Sequence, residues 1–421
     1  MNLWKALFLL VLSLPFLPAS AQRVSALLLG NSYTAYNNLP QLTAAVALSA
    51  GDTLLVQSNA PGGVTLQTHS RDATSLQLLR QGTYDYTVLQ EQSQAPAFPD
   101  AQVAVDVYPY ARTLDSLSRA ANPCTQTIFY RTWGRQNGDA GNCAFFPPIC
   151  TYSGMDSLLA RRYRIMADSN RAVLSPVGQV WKSLRQSHPT LVLYQADESH
   201  PTLAGSYIAA CTFYTVFFRK SPLRITSDES LPAADALAIR QAVKAVVYDS
   251  LLYWNVGRYD PKAAFTFTGG PGRQIGFQNQ SMQATQYQWQ FGTGQGSDTS
   301  THPTYTFPAN GTYSVRLIAL RCGWSDTLTR QVTVSAAGVT SSSIHSEIRI
   351  SPNPAGDLLH VAGLSAQATV QVLDLQGRLL SLDQHWEGTH LILATESLAT
   401  GTYLLRIQAS GKPELHRFRK Q

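Results

Sequence analysis

Between Arg23 and about Arg258, near-continuous apolar runs alternate with longer stretches of helical spacing, and from Pro261 onward that alternation stops. The runs VSALLL, DTLLVQS, YDYTVLQ, TQTIFYRT and TLVLYQ read as strands. QLTAAVALSA, MDSLLARRYRIMADSNRAVL and LAGSYIAACTFYTVFF between and after them read as helices. Strands that are apolar throughout must be covered on both faces, and helices in the connections supply that cover. The expected architecture is therefore an α/β domain around a parallel sheet. Pro232 to Trp254 reads as one closing helix, with Ile239, Val243, Val246 and Val247 on one face.

The rest of the chain has a different texture. From Pro261 to Ser335, short β-branched and aromatic runs are separated by Gly, Pro, Asn and Ser, as in a small antiparallel sandwich. Ala336 to Ser343, AAGVTSSS, is a soft linker, and a second all-β pattern runs from Ile344 to the end. At 421 residues, more than one domain is required. Neither β region gathers titratable residues in a way that suggests chemistry.

The first 21 residues form a signal peptide: Lys5, an apolar core from Leu7 to Leu17, and the small-residue cleavage site Ala19-Ser20-Ala21. Export permits disulfides. Of the five cysteines, Cys143 and Cys150 flank the short loop AFFPPI and are the expected pair, whereas the partners of Cys124, Cys211 and Cys322 stay open. Their spacing does not fit a zinc site. The net charge of +6 is scattered, with no basic stripe, so nucleic-acid binding is not expected. No later stretch is long and apolar enough for a transmembrane anchor.

The chemistry is expected at the sheet's strand ends. The first strand stops at Gly30-Asn31-Ser32. A serine there is either a helix cap or a nucleophile. The run TLVLYQ is followed by Asp197-Glu198-Ser199-His200-Pro201. A nucleophilic serine needs a base and the base an orienting carboxylate, and Asp197 with His200 on one loop supplies both. Gly62-Gly63 offers a backbone N–H for an oxyanion, and Gln90 to Gln94 follow the strand YDYTVLQ with side-chain amides.

These segments resemble the SGNH (GDSL-like) hydrolase family over roughly Arg23 to Arg258. Gly30-Asn31-Ser32 matches its nucleophile block with Asn where Asp is commoner, Gly63 its glycine block, and Asp197 with His200 its final block. The resemblance implies a three-layer α/β/α, flavodoxin-like fold and ester hydrolysis, with Ser32 as nucleophile, His200 as base and Asp197 orienting it. It implies an oxyanion hole of Ser32 N–H, Gly63 N–H and a side-chain amide. The family's Gly-x-Asn-Asp block is absent, and Gln94 or Gln92 stands at the position of its Asn. Trp133 is placed to stack on a sugar ring, with burial the alternative, and Arg131 or Arg135 to bind an acidic group. His69 reads as a packing residue and Glu91 as a solvated loop residue.

Residues 261–335 resemble a polycystic kidney disease (PKD) domain through YQWQFGTG, PTYTF and GTYSV, with Gln290 and Thr293 where the family carries acids and Trp289 as core. Residues 344–421 resemble a type IX secretion C-terminal sorting domain through ISPNP, LDLQGR and LATGTYLLR. The whole is read as a multidomain chain: signal peptide 1–21, catalytic α/β domain 23–258, and two small all-β sandwiches. The expected function is a secreted or cell-surface serine esterase, exported through periplasm and outer membrane, acting on ester (O-acetyl) bonds of an acylated small molecule or polysaccharide. It engages the type IX secretion machinery and needs no metal or cofactor. The alternative is a catalytically inactive surface protein that binds glycans or mediates adhesion.

Overall fold

A computed structural model describes residues 21–335, 348–364, 368–374, 377–387, 390–408 and 414–420. The signal segment up to Ser20 and the linker 336–343 lie outside the described residues. The chain divides into two compact units, Met1–Val256 and Gly257–Gln421.

The first unit is a parallel sheet of β1 (Arg23–Leu29), β2 (Thr53–Asn59), β3 (Tyr86–Leu89), β4 (Gln126–Tyr130) and β5 (Val173–Ser175), in the order β2-β1-β3-β4-β5. That is the flavodoxin-like order, whose switch point lies between β1 and β3, the place where such sheets bind ligands. The layers beside it are α1 (Leu39–Ser49), α2 (Ala73–Arg80), α3 (Tyr108–Ala121), α4 (Tyr152–Ser169), α5 (Val177–Ser187), α6 (Leu203–Phe218) and α7 (Ala233–Val246). Helix α6 is buried at every residue from Ala204 to Phe218, because α1, α5 and α7 pack around it. The core runs through Leu27, Leu28, Val88, Ile128, Phe129 and Leu174.

Three elements differ from the sequence reading. The fifth strand is Val173–Ser175, three residues at the end of what reads as a helical stretch. The run TLVLYQ is not a strand. Its backbone is satisfied by its own return: Gln195 N–H donates to His200 O, and Thr202 N–H to Leu193 O. The adjacent residues Leu193 and Tyr194 are both buried while Val192 is exposed, which no alternating strand face permits. The closing helix also ends early, at Val246, and a 3-10 segment Tyr248–Trp254 follows. The turn lets the Trp254 indole N–H donate to the Val246 carbonyl at 2.7 Å, satisfying an acceptor that the helix end leaves open.

The second unit holds two β-sandwiches with separate cores. The first pairs a three-stranded sheet (Thr304–Thr306, Gln274–Asn279, Phe265–Gly269) with a four-stranded one (Trp324–Val334, Gly311–Arg321, Gln286–Gln290, Ser297–Asp298). Its core centres on Trp289, fully buried and touching Phe265 and Phe277. The second packs two four-stranded sheets over Leu359, Val361, Leu391, Leu393, Leu405 and Phe418. Among the described residues no helix is long and apolar enough to cross a membrane.

Candidate active site

The β1 strand cannot continue past Leu29 as a strand of ordinary residues. A Cβ on Gly30 would fall 2.3 Å from Thr34 Oγ1 and 2.6 Å from Gln90 Oε1, so only glycine lets the chain turn here. The helical turn Ser32–Ala35 follows, and its cap is Asn31, not Ser32: Asn31 Oδ1 accepts the Tyr33 N–H at 3.1 Å. The Ser32 hydroxyl is therefore spared capping and lies 2.8 Å from His200 Nε2.

The loop that bears His200 is folded around Asp197. Asp197 Oδ1 accepts the Ser199 N–H at 3.0 Å and the His200 N–H at 2.9 Å, and Oδ2 bonds His200 Nδ1. A carboxylate only accepts, so Nδ1 carries the proton and Nε2 presents a lone pair to the Ser32 hydroxyl. Partial burial opposes the Asp197 charge, but the His200 ring and the two N–H donors outweigh it and hold the carboxyl below its ordinary range. The Tyr36 ring stacks on the His200 imidazole, with centroids 4.3 Å apart and planes 17° from parallel.

Gln90 and Asn31 exchange a pair of amide hydrogen bonds. Gln90 Oε1 accepts the Asn31 N–H at 3.0 Å and Gln90 Nε2 donates to Asn31 Oδ1 at 2.9 Å. Asn31 Nδ2 reaches across to the Val64 carbonyl at 3.1 Å, next to Gly63. An aspartate could not make that last bond. Gly63 has a positive φ of 74°, which its lack of a side chain permits.

A cavity of about 460 Å³ opens over Ser32 and His200, with Gly62, Gly63, Gln92 and Arg135 in its walls. Of the two glutamines proposed for the oxyanion, Gln92 lines it. Gln94 turns away, its Nε2 donating to Asp139 Oδ2 at 2.7 Å. Gln92 Nε2 gives one hydrogen to Gln94 Oε1 at 3.0 Å and carries a second.

Two proposed substrate contacts are corrected. Trp133 is fully buried between Tyr33 and Trp181, at centroid distances of 4.7 and 3.9 Å, so no sugar reaches its face. Its indole N–H donates to the Ser199 carbonyl at 3.1 Å and so braces the His200 loop from below. Arg131 is buried with Asp156 in an ion pair of 2.8 Å, both side chains 2% exposed. Arg135 is the arginine in the cavity wall, with Nη1 3.2 Å from Asp139 Oδ1. Glu91, read as a solvated loop residue, is fully buried. His69 is a buried strut: burial lowers its pKa, Nε2–H donates to the Gly30 carbonyl at 2.8 Å, and Nδ1 is left to accept from Ser75 Oγ. Cys143 and Cys150 form a disulfide, and Cys211 is a buried free thiol.

Sequence reasoning did not find Tyr36, nor the braces made by Asn31, Gln90 and Glu91. The Tyr33 hydroxyl, 2.7 Å from Ser199 Oγ, was also not foreseen. Only their proximity to Ser32 and to the β3 exit marks them in the sequence.

Among solved structures, an SGNH hydrolase candidate from Slackia heliotrinireducens is 26% identical, matched over 46% of this chain and 98% of its own, with a TM-score of 0.38. A DUF4886 family protein from Bacteroides uniformis is 17% identical over 55% of this chain and 95% of its own, with a TM-score of 0.45. The psychrotrophic esterase EstA from Pseudoalteromonas sp. is 16% identical over 46% and 96%, with a TM-score of 0.33. No curated protein matches the chain. The family model for the PKD domain matches residues 264–335, and that for the secretion system C-terminal sorting domain matches residues 349–420. The chain thus joins a doubly wound α/β unit to a PKD domain and to a sorting domain that marks it for export.

Proposed function

We propose that the protein is an exported serine esterase whose catalytic residues are Ser32, His200 and Asp197. The observation that carries this reading is the unbroken hydrogen-bond chain Ser32–His200–Asp197, with the tautomer set for proton abstraction. Ser32 Oγ attacks the acyl carbonyl as its proton passes to His200 Nε2. The oxyanion is held by the Ser32 and Gly63 N–H groups and the spare Gln92 amide hydrogen. His200 then protonates the departing alcohol, and the same base activates water to release the acid. Asp197 steadies the imidazolium throughout.

The cavity walls favour a short acyl group on a polar alcohol. Among the residues that line it the only large apolar surfaces are the rings of Tyr33 and Tyr36, with no aliphatic side chain to hold a long chain. An O-acetyl group on a carbohydrate suits such walls. The sorting domain directs the enzyme across the outer membrane to the surface or medium, with the tail removed on the way. The intact hydrogen-bond chain argues against an inactive binding protein. Hydrolysis of p-nitrophenyl acetate and of its longer-chain homologues tests the reading. Acetate is expected to be turned over faster than octanoate, and Ser32→Ala to abolish the activity. Turnover that survives the substitution overturns it.

A further inference from the structure

Glu91 leaves β3 directly into the core. Its Oε1 accepts two backbone N–H groups from different segments, Leu66 at 3.1 Å and Gln92 at 2.6 Å, while its Oε2 is buried with no hydrogen-bond partner among the described residues. Burying a carboxyl with one oxygen unpaired is costly, and an apolar side chain would fill the same space at lower cost. Stability therefore does not account for a carboxyl here.

One donor lines the cavity and the other follows a segment that does. Gln92 lines it, and Leu66 follows Gly62-Gly63-Val64-Thr65, whose two glycines line it as well. This glycine segment belongs to no helix or strand, and among the described residues nothing lies within 4 Å of where a Cβ on Gly63 would sit. Among the described residues, two side chains from outside hydrogen-bond its backbone: Asn31 Nδ2 holds the Val64 carbonyl and Glu91 Oε1 holds the Leu66 N–H. Among the described residues, only the Glu91 side chain accepts from the glycine segment and the Gln92 segment at once.

We propose that Glu91 is a positioning residue of the oxyanion site, whose Oε1 sets the spacing between the Gly63 N–H and the Gln92 amide. This rests on the esterase reading above. The developing oxyanion is more sensitive to donor spacing than the ground-state carbonyl, so losing the grip slows turnover while leaving substrate affinity nearly intact.

The test compares Ser32→Ala, Glu91→Gln, Glu91→Leu and Leu66→Pro in the full chain, with p-nitrophenyl acetate as substrate and thermal unfolding as the folding control. Glu91→Gln keeps an acceptor at Oε1 and should hold kcat within about threefold of wild type. Glu91→Leu removes it, and kcat should fall roughly 10- to 100-fold, with KM changing less than about threefold. Leu66→Pro deletes the N–H and sets its ring Cδ against Oε1, breaking the same grip from the other side at the cost of a buried leucine side chain. It places proline at the first helical position after Thr65, whose φ of −108° and ψ of 168° suit a residue before proline. It should slow kcat in the same way, and combining it with Glu91→Leu should add little. A folded Glu91→Leu or Leu66→Pro protein with wild-type kcat overturns the proposal, as does multiplication of their effects in the double variant. Activity that persists in Ser32→Ala overturns the esterase reading instead, so the two failures are distinguishable.

Discussion

Asn31 Nδ2 lies 3.1 Å from the Val64 carbonyl oxygen, so the residue before the serine also holds the glycine segment that follows the neighbouring strand β2. Asn31 Oδ1 meanwhile caps the helical turn and accepts from Gln90. One amide thus joins three segments around the cavity. Asn31→Asp keeps the acceptor and destroys the donor, setting a carboxylate against a carbonyl. We expect kcat on p-nitrophenyl acetate to fall about tenfold, an amount in line with loss of alignment of one oxyanion donor. Steady-state kinetics of the folded variant check it, and wild-type kcat would refute the role given to Nδ2.

Tyr36 stacks on His200 while leaving 37% of its own surface exposed. The ring limits the imidazole to the orientation that faces Ser32 and adds little to the core. Tyr36→Ala should therefore lower kcat/KM by about three- to tenfold with a thermal midpoint within roughly 2 °C of wild type. Tyr36→Phe should retain the activity, since stacking needs only the ring. Equal losses in both variants would point to the hydroxyl instead.

Burial pushes the Glu91 carboxyl up to about 7, with two N–H donors opposing the shift. A carboxyl that ionises less readily in the folded state contributes its full stability below its unfolded pKa, near 4.5, and loses it as pH rises through 7. The loss amounts to about 3 kcal/mol once ionisation is complete. Glu91→Gln cannot ionise and lacks this dependence. The stability of wild type relative to Glu91→Gln should fall from pH 5 to about pH 7 and level off above it in urea titrations. Parallel curves for the two proteins would contradict the shift.

Arg131 is assigned to the core. Arg131→Ala would leave Asp156 buried without its partner and should cost about 3–5 kcal/mol in unfolding free energy. KM for acetylated glycans with and without acidic groups should remain at the wild-type value in the folded fraction. A selective rise in KM for acidic substrates would return Arg131 to the cavity.

What could be read from the sequence follows the physics of burial. Strands β1, β3 and β4 carry near-continuous apolar, buried runs and announce themselves, β2 is marked by its short run LLV, and Ser32, His200 and Asp197 stand out because the chain breaks abruptly at each loop. The three-residue β5 was hidden at the end of a helical stretch, while TLVLYQ imitated a strand and instead bonds to its own return. Buried polar residues gave no such signal. Glu91 and Gln90 look like members of a polar loop until the fold closes over them. Trp133 and Arg131 likewise carry the same letters whether they face a substrate or a core, and only the stack on Trp181 and the pair with Asp156 decide it.

Intact-mass analysis after treatment with a fluorophosphonate tests the central claim most directly, because it reads the nucleophile and its base together. We expect one adduct per chain, mapped by peptide sequencing to Ser32, absent in Ser32→Ala and at least about 100-fold slower to form in His200→Ala. Labelling at another serine, or at an unchanged rate without His200, would contradict it.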